Sequence, residues 1–243
     1  MLPAKHVVFD VEGTLVGYEK FYAAIDERLG NKLREYGVSP HVFGYLWIEV
    51  SEREYTYLSM SGGYTPYDKC IKHLFWRVLW KVGVPNPHDF ATAEDLDFIL
   101  HGFSDMEMRP GARECIDTLR RNGFTVWAFT MADYSRIYSY FHKAGIDLPE
   151  ENMMSCDSTS IGKPASAAYA PLLEKLSAQG EKPWFAAAHA WDVSAAKRQG
   201  FRAAYCTVFE HEPVTEIFGG MDCVADSLPE MAQSIVRCSD QLH

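Results

Sequence analysis

The chain is predicted to fold as an α/β protein, a doubly wound parallel sheet whose first strand is separated from the rest by a long helical insertion. Three observations carry this. Val7-Val8-Phe9 is a short apolar run that ends at Asp10 and is broken at once by Gly13-Thr14. The residues from about Tyr18 to Phe103 show helical periodicity and no convincing strand. Beyond Pro110-Gly111, short apolar runs and helical stretches alternate regularly to near the end of the chain. Such alternation favours a parallel sheet with helices on both faces and ligands beyond the carboxyl ends of the strands.

Taken in order, Val7 to Phe9 reads as a buried parallel strand followed by a tight turn, because β-branched and aromatic residues are bounded by a turn signal. The insertion contains amphipathic stretches around Phe21 to Tyr36, Val42 to Met60 and Tyr67 to Val82, punctuated by Gly62-Gly63 and Pro85-Asn86-Pro87. The alternation then predicts a helix over Ala112 to Asn122, a strand over Thr125 to Phe129 and a helix over Tyr134 to Ala144. It continues with a helix from Ala165 to Ala178, a strand from Trp184 to Ala188, a helix from Val193 to Gln199 and a strand from Ala203 to Thr207. The expected division is a core of residues 1–17 and 104–243 and a helical domain of residues 18–103.

Composition narrows the function classes. With 243 residues, 47% hydrophobic and 23% charged, the chain is long enough to bury a sizeable core and lacks the signature of disorder. A net charge of −10 argues against broad binding to nucleic acid or an anionic membrane, since no basic patch is available to neutralise phosphates. No apolar run approaches the roughly 20 residues that span a bilayer. Met1-Leu2-Pro3-Ala4-Lys5-His6 runs straight into the first strand without a leader pattern. The cysteines Cys70, Cys115, Cys156, Cys206, Cys223 and Cys238 are scattered, with no C-x-x-C pair. A cytoplasmic protein with reduced thiols and a small-molecule substrate is the expectation.

Chemistry is expected at strand ends. A carboxylate at a strand tip, here Asp10, can act as a nucleophile, and the glycine that follows lets the backbone turn its amides toward developing negative charge. The plain alternative is an aspartate that caps a turn. Thr130 ends a strand, Lys163 lies in Gly162-Lys163-Pro164, and Asp192 follows the strand Trp184 to Ala188. A strand-terminal threonine is commonplace, a lone lysine is usually a solvated charge, and Asp192 has a competing use as cap of the helix starting near Val193.

Val7-Val8-Phe9-Asp10-Val11-Glu12-Gly13-Thr14-Leu15, Phe129-Thr130-Met131, Gly162-Lys163-Pro164 and Ala190-Trp191-Asp192 together, in this order, resemble the four motifs of the haloacid dehalogenase superfamily. The resemblance implies a Rossmann-like core with an inserted α-helical cap. It implies Asp10 as nucleophile, Thr14 and Thr130 as groups that bind or orient the anion, Lys163 as neutralising cation, and Asp192 as the holder of Lys163 or of a metal.

Within the superfamily the chain looks most like the L-2-haloacid dehalogenases. Tyr169 stands six residues after Lys163, the A-W-D ending is present, and Glu54-Tyr55-Thr56-Tyr57-Leu58 with Gly63-Tyr64 resembles a stretch of that branch. The implied enzyme is a hydrolase that needs no cofactor, works through an aspartyl-enzyme intermediate and forms a homodimer. Glu12, His189, Trp191, Tyr169 and Trp47 are the implied lining of the substrate site. The branch has an arginine after the tryptophan, an aromatic residue two after the nucleophile and an asparagine two before the A-W-D tryptophan. This chain has Ile48, Glu12 and His189 there. His189 beside the motif residues invites assignment as a base, although packed histidines are commoner at such places.

Three alternatives follow from these departures. D-x-E-G-T resembles enolase-phosphatases, and Asp10, Glu12 and Asp192 offer hard oxygen ligands for Mg²⁺ in a phosphatase of a phosphate or diphosphate. The aromatic insertion, with Phe43, Tyr45, Trp47, Tyr55, Phe75, Trp76 and Trp80, suits either its own packing or a terpene cyclase or diphosphate lyase, again with Mg²⁺. A non-catalytic binding module on a degenerated site is the last reading, supported by Ile48 and Ala188.

Overall fold

The computed structural model describes residues 4–178 and 180–240. The expectation about a leader rests partly on Met1-Leu2-Pro3, and the outer limits 1 and 243 of the expected core likewise lie outside the described residues. The chain divides into two compact units, Met1–Gly17 with Met108–His243, and Tyr18–Glu107.

In the first unit, six parallel strands form one sheet among the described residues. They are β1 (Lys5–Phe9), β2 (Phe124–Thr130), β3 (Met153–Ser155), β4 (Trp184–Ala187), β5 (Arg202–Cys206) and β6 (Cys223–Ala225), in the order β3-β2-β1-β4-β5-β6. The middle strands are buried on both faces, which is why Val7-Val8-Phe9 and Trp184 to Ala187 read as continuous rather than alternating apolar runs. Helices cover both sides. The helices Ala112–Arg121 and Leu228–Asp240 pack on each other, and so do Ser166–Ser177 and Ala190–Gln199.

Strand order reverses between β1 and β4, and register determines what meets there. Phe9 pairs with Ala128 of β2 and with Ala186 of β4. The Asp10 amide continues the ladder by donating to the Ala186 carbonyl at 3.0 Å. Asp10, Thr130, Ala188 and His189 therefore leave neighbouring strands at nearly the same level, at the switch point where open parallel sheets bind ligands. After Asp10 the chain turns back tightly: the Val16 amide reaches the Val11 carbonyl at 2.9 Å, and Gly13 takes φ 81°, a left-handed conformation that suits glycine.

The second unit is helical: Glu19–Glu35, Pro40–Met60, Tyr67–Lys81, the single turn Pro87–Phe90, and Ala93–Ser104. Pro40 begins its helix where a missing N–H costs nothing. Thr92 and Asp95 form a reciprocal capping box that fixes the start of the last helix. That helix runs to Ser104, and Lys20 pairs with both Asp105 and Glu107, so residues 104–107 belong with the helical unit. Its core is aromatic. Trp47 packs against Phe21, Phe43 and Phe75 at ring separations of 4.8–5.9 Å.

Candidate active site

The site is built around the Asp10 side chain, which is 7% exposed. One carboxylate oxygen, Oδ2, accepts the Thr14 hydroxyl at 2.7 Å and lies 3.2 Å from Nδ1 of His189. The other, Oδ1, accepts from Lys163 Nζ at 3.0 Å. Thr14 is itself fixed, because its hydroxyl oxygen accepts the Ala188 amide at 2.8 Å. A single threonine thus ties the turn after β1 to the end of β4 and holds the carboxylate in one orientation.

Lys163 is the centre of charge. Its ammonium donates to Asp10 Oδ1 at 3.0 Å, to Asp192 Oδ2 at 2.7 Å and to the Phe129 carbonyl at 2.9 Å, so all three protons are used. It is buried, with the Phe129 ring at 4.7 Å and the Phe185 ring at 5.3 Å. Tyr169 donates to the remaining Asp192 oxygen, Oδ1, at 2.5 Å. Asp192 lies in the first turn of the helix Ala190–Gln199, where the helix dipole favours negative charge. The structure corrects the capping alternative for Asp192: His189 is the N-cap residue and the Asp192 side chain points to Lys163 and Tyr169 instead.

Burial alone would push the Asp10 carboxyl up. The Lys163 charge, the His189 contact and the Thr14 hydroxyl outweigh it and hold the group well below the usual carboxylate range. Burial likewise favours loss of the Lys163 proton, and the charges of Asp10 and Asp192 overrule it, holding the amine above its ordinary value. For Asp192, burial prevails over the Lys163 charge and the negative charge of Asp10 adds to it, so its carboxyl lies above the usual range. Of the two carboxylates sharing one ammonium, Asp10 is the one held below the usual range.

Glu12 is held elsewhere. Its Oε1 lies 3.0 Å from Arg136 Nε, its Oε2 accepts from Arg136 Nη2 at 3.3 Å, and the Tyr140 hydroxyl donates to Oε1 at 3.0 Å. The sequence reading did not find Arg136 and Tyr140. Their signal was present: an arginine and a tyrosine four residues apart lie on one face of the predicted helix, and in the helix Tyr134–Lys143 both are buried.

This arrangement gives the oxygens of the expected Mg²⁺ ligands Asp10, Glu12 and Asp192 partners within the protein. The Glu12 oxygens serve a guanidinium and a phenol, those of Asp192 an ammonium and a phenol, and Lys163 already lies between Asp10 and Asp192. No group of three or more His, Cys, Asp or Glu suited to a metal ion occurs among the described residues. These oxygens are each engaged by side chains of the protein, and no chemical step is routed through a divalent cation.

Thr130 is buried at the end of β2, where its hydroxyl accepts the Ala132 amide at 3.0 Å. His189 packs between Trp191, at a ring separation of 5.8 Å, and Phe209, at 5.1 Å. The neighbouring Glu210, also missed from sequence, accepts the Ala190 amide at 2.7 Å. Trp47 corrects a further expectation. It has no exposed surface, and its indole N–H donates to the Ile71 carbonyl at 2.8 Å inside the helical unit, so it has no face for a substrate.

A buried, ionised carboxylate fixed at a strand end beside a saturated lysine can attack an electrophile and form an aspartyl ester. Known proteins share this chain's sequence pattern and fold. Over 207 residues the chain is 24% identical to (S)-2-haloacid dehalogenase 2 of Pseudomonas sp. (strain CBS-3), covering 84% of each chain. It is 21% identical to haloacetate dehalogenase H-2 of Moraxella sp. (strain B), covering 82% of this chain and 84% of that one. Its fold matches L-2-haloacid dehalogenase from Xanthobacter autotrophicus with chloropropionic acid covalently bound, with a TM-score of 0.73 and 17% identity over 96% of this chain and 98% of that one. No helix of the described residues is long and apolar enough to cross a membrane. The sequence profile described as haloacid dehalogenase-like hydrolase matches residues 4–200, and the chain belongs to that family.

Proposed function

We propose that this hydrolase displaces halide from a short 2-haloacid, using Asp10 as nucleophile and no metal. The observation that carries the reading is the Lys163 ammonium, fully satisfied by Asp10, Asp192 and the Phe129 carbonyl, which supplies from within the protein the positive charge that a metal would otherwise bring. An Asp10 oxygen attacks the carbon bearing the halogen, the C–X bond breaks, halide leaves with its electron pair, and an Asp10 ester remains. Water then adds to the ester carbonyl, giving the 2-hydroxy acid and restoring the carboxylate. Thr14 and Lys163 hold the attacking group, Thr130 ends the neighbouring strand, and Trp191 packs on His189. The relative with chloropropionic acid covalently bound supports a covalent intermediate.

The direct test offers L-2-chloropropionate and p-nitrophenyl phosphate to wild type and Asp10→Asn, with Mg²⁺ or with EDTA. Chloride release that ignores EDTA and is lost in Asp10→Asn is the expected result. Phosphate release that requires Mg²⁺, without chloride release, would refute the proposal. The terpene cyclase reading draws less support, because Phe21, Phe43, Trp47 and Phe75 are spent on packing against one another. Exposed Tyr57, Leu58, Met60 and Trp80 on the helical unit support the homodimer implied by the resemblance, which sedimentation of the purified protein tests. A cytoplasmic location draws support from the scattered thiols, none of which is in a disulfide among the described residues.

A further inference from the structure

We propose that His189 is the general base of the second half-reaction, activating the water that hydrolyses the Asp10 ester. This rests on the function proposed above and adds to it a catalytic residue.

Three observations carry the assignment. First, Nδ1 of His189 lies 3.2 Å from Asp10 Oδ2, so the ring borders the carbonyl carbon that water must attack. Second, the ring is held in place: the residue is 4% exposed and packs between Trp191 and Phe209. Third, the other carboxylates near the site are committed. Asp192 has one oxygen on Lys163 and the other on Tyr169, and Glu12 has its oxygens on Arg136 and Tyr140. Lys163, the other titratable group in contact with Asp10, spends its protons on three acceptors and cannot take up another.

Esterification would itself switch the histidine on. While Asp10 is a carboxylate it can only accept a hydrogen bond, so the proton between the two groups sits on Nδ1 and the negative charge favours a protonated ring. When Asp10 becomes a neutral ester, that charge disappears and the ring is free to act as a neutral base. The other charged groups facing this region are distant or engaged: Glu210 accepts the Ala190 amide, and Arg109 stacks on the far partner, Phe209, at 5.9 Å. The proton balance closes. Water gives one proton to the imidazole as its oxygen bonds to the ester carbonyl carbon. The tetrahedral adduct then collapses, the bond to the substrate oxygen breaks, and the imidazolium returns the proton to the leaving alkoxide. The acid proton left on Asp10 passes to solvent, and the carboxylate reforms beside Lys163.

The test is rapid-quench kinetics on the full chain with L-2-chloropropionate, comparing wild type, His189→Phe and His189→Gln. Chloride is counted per site and the quenched protein is weighed by intact-mass spectrometry. Both variants are expected to release one chloride per site, to accumulate protein carrying the propionate ester, and to turn over about 100-fold or more slowly in steady state, in line with the contribution of a general base. Ester hydrolysis in wild type should also show a histidine-type acid limb that both variants lack, which a merely packed ring would not produce. Variants that turn over like wild type with no trapped ester overturn the inference while leaving the proposed function standing. Absence of chloride release from wild type is the distinct result that removes both. Should either variant fail to fold by circular dichroism, the wild-type profile decides: a limb in ester hydrolysis supports the base, and a flat profile overturns it.

Discussion

Replacing Glu12 by leucine should destabilise the protein severely, and the size of the effect separates the ion-pair reading of this residue from the metal reading. The Glu12 and Arg136 side chains are 10% and 5% exposed, and they meet at two points, 3.0 and 3.3 Å apart. Leucine would leave a buried guanidinium without its counter-charge. Removing one partner of such a pair costs about 3–5 kcal/mol. The Tyr140 hydroxyl loses its acceptor as well, which adds roughly 1 kcal/mol. For a chain of this size each kcal/mol moves Tm by about 2–4 °C, so a fall of roughly 8–24 °C is expected. The double variant Glu12→Leu/Arg136→Met should recover most of the loss, because an apolar pair avoids the desolvation that the ions suffer. Urea denaturation of wild type, both single variants and the double variant gives the coupling energy directly. A loss below about 1 kcal/mol in Glu12→Leu would refute the ion-pair account. So would Mg²⁺-dependent stabilisation of wild type that Glu12→Leu abolishes, for which saturation at 100 times Kd predicts about 2.7 kcal/mol.

Three shorter predictions address the remaining parts of the site. Thr14→Ala removes the donor to Asp10 and orphans the buried Ala188 amide, so it should cost about 1–3 kcal/mol in denaturation and slow chloride release, whereas Thr14→Ser should retain both contacts. On acidification Asp192, with its raised carboxyl, takes up a proton before Asp10, so the acid limb of single-turnover chloride release belongs to Asp192; Tyr169→Phe withdraws a hydrogen bond that favours its anion and should move that limb to higher pH, and a shift the other way would contradict the assignment. The same signs set stability: the depressed Asp10 carboxyl contributes stability above its unfolded value that is lost as pH falls through the folded one, while Asp192 acts in the opposite sense. Trp47→Ala should cost about 3–5 kcal/mol in stability, and Trp47→Phe should leave KM unchanged; a raised KM at unchanged Tm would return Trp47 to the substrate site.

Much of the fold can be read from the chain because its signals are local. Val7 to Phe9 and Trp184 to Ala187 are uniformly apolar since both faces of a central parallel strand are buried, and each ends at a residue that breaks the run. The alternation that follows residue 110 sets the order of strands and helices. The polar residues singled out for the site could be found for the same reason: Asp10, Thr130 and Asp192 stand at or just past strand ends, and Lys163 lies between two βα units. The boundary of the helical unit was less legible, because pairing of Lys20 with Asp105 and Glu107 joins residues some 85 positions apart.

The sequence by itself determined the doubly wound architecture and the family, and it singled out Asp10 and Lys163 as candidates. Only the tertiary structure decided where the side chains point. An acidic residue two positions after Asp10 reads equally as a metal ligand or as one half of an ion pair, and the ion pair depends on Arg136, 124 residues away. A tryptophan in an aromatic stretch reads equally as substrate wall or as core until Phe21, Phe43 and Phe75 are seen around it. Spacing along a strand or helix fixes which residues share an end or a face, whereas electrostatic partnership depends on distances closed by the whole sheet, and only folding brings Lys163 and His189 to the two oxygens of Asp10.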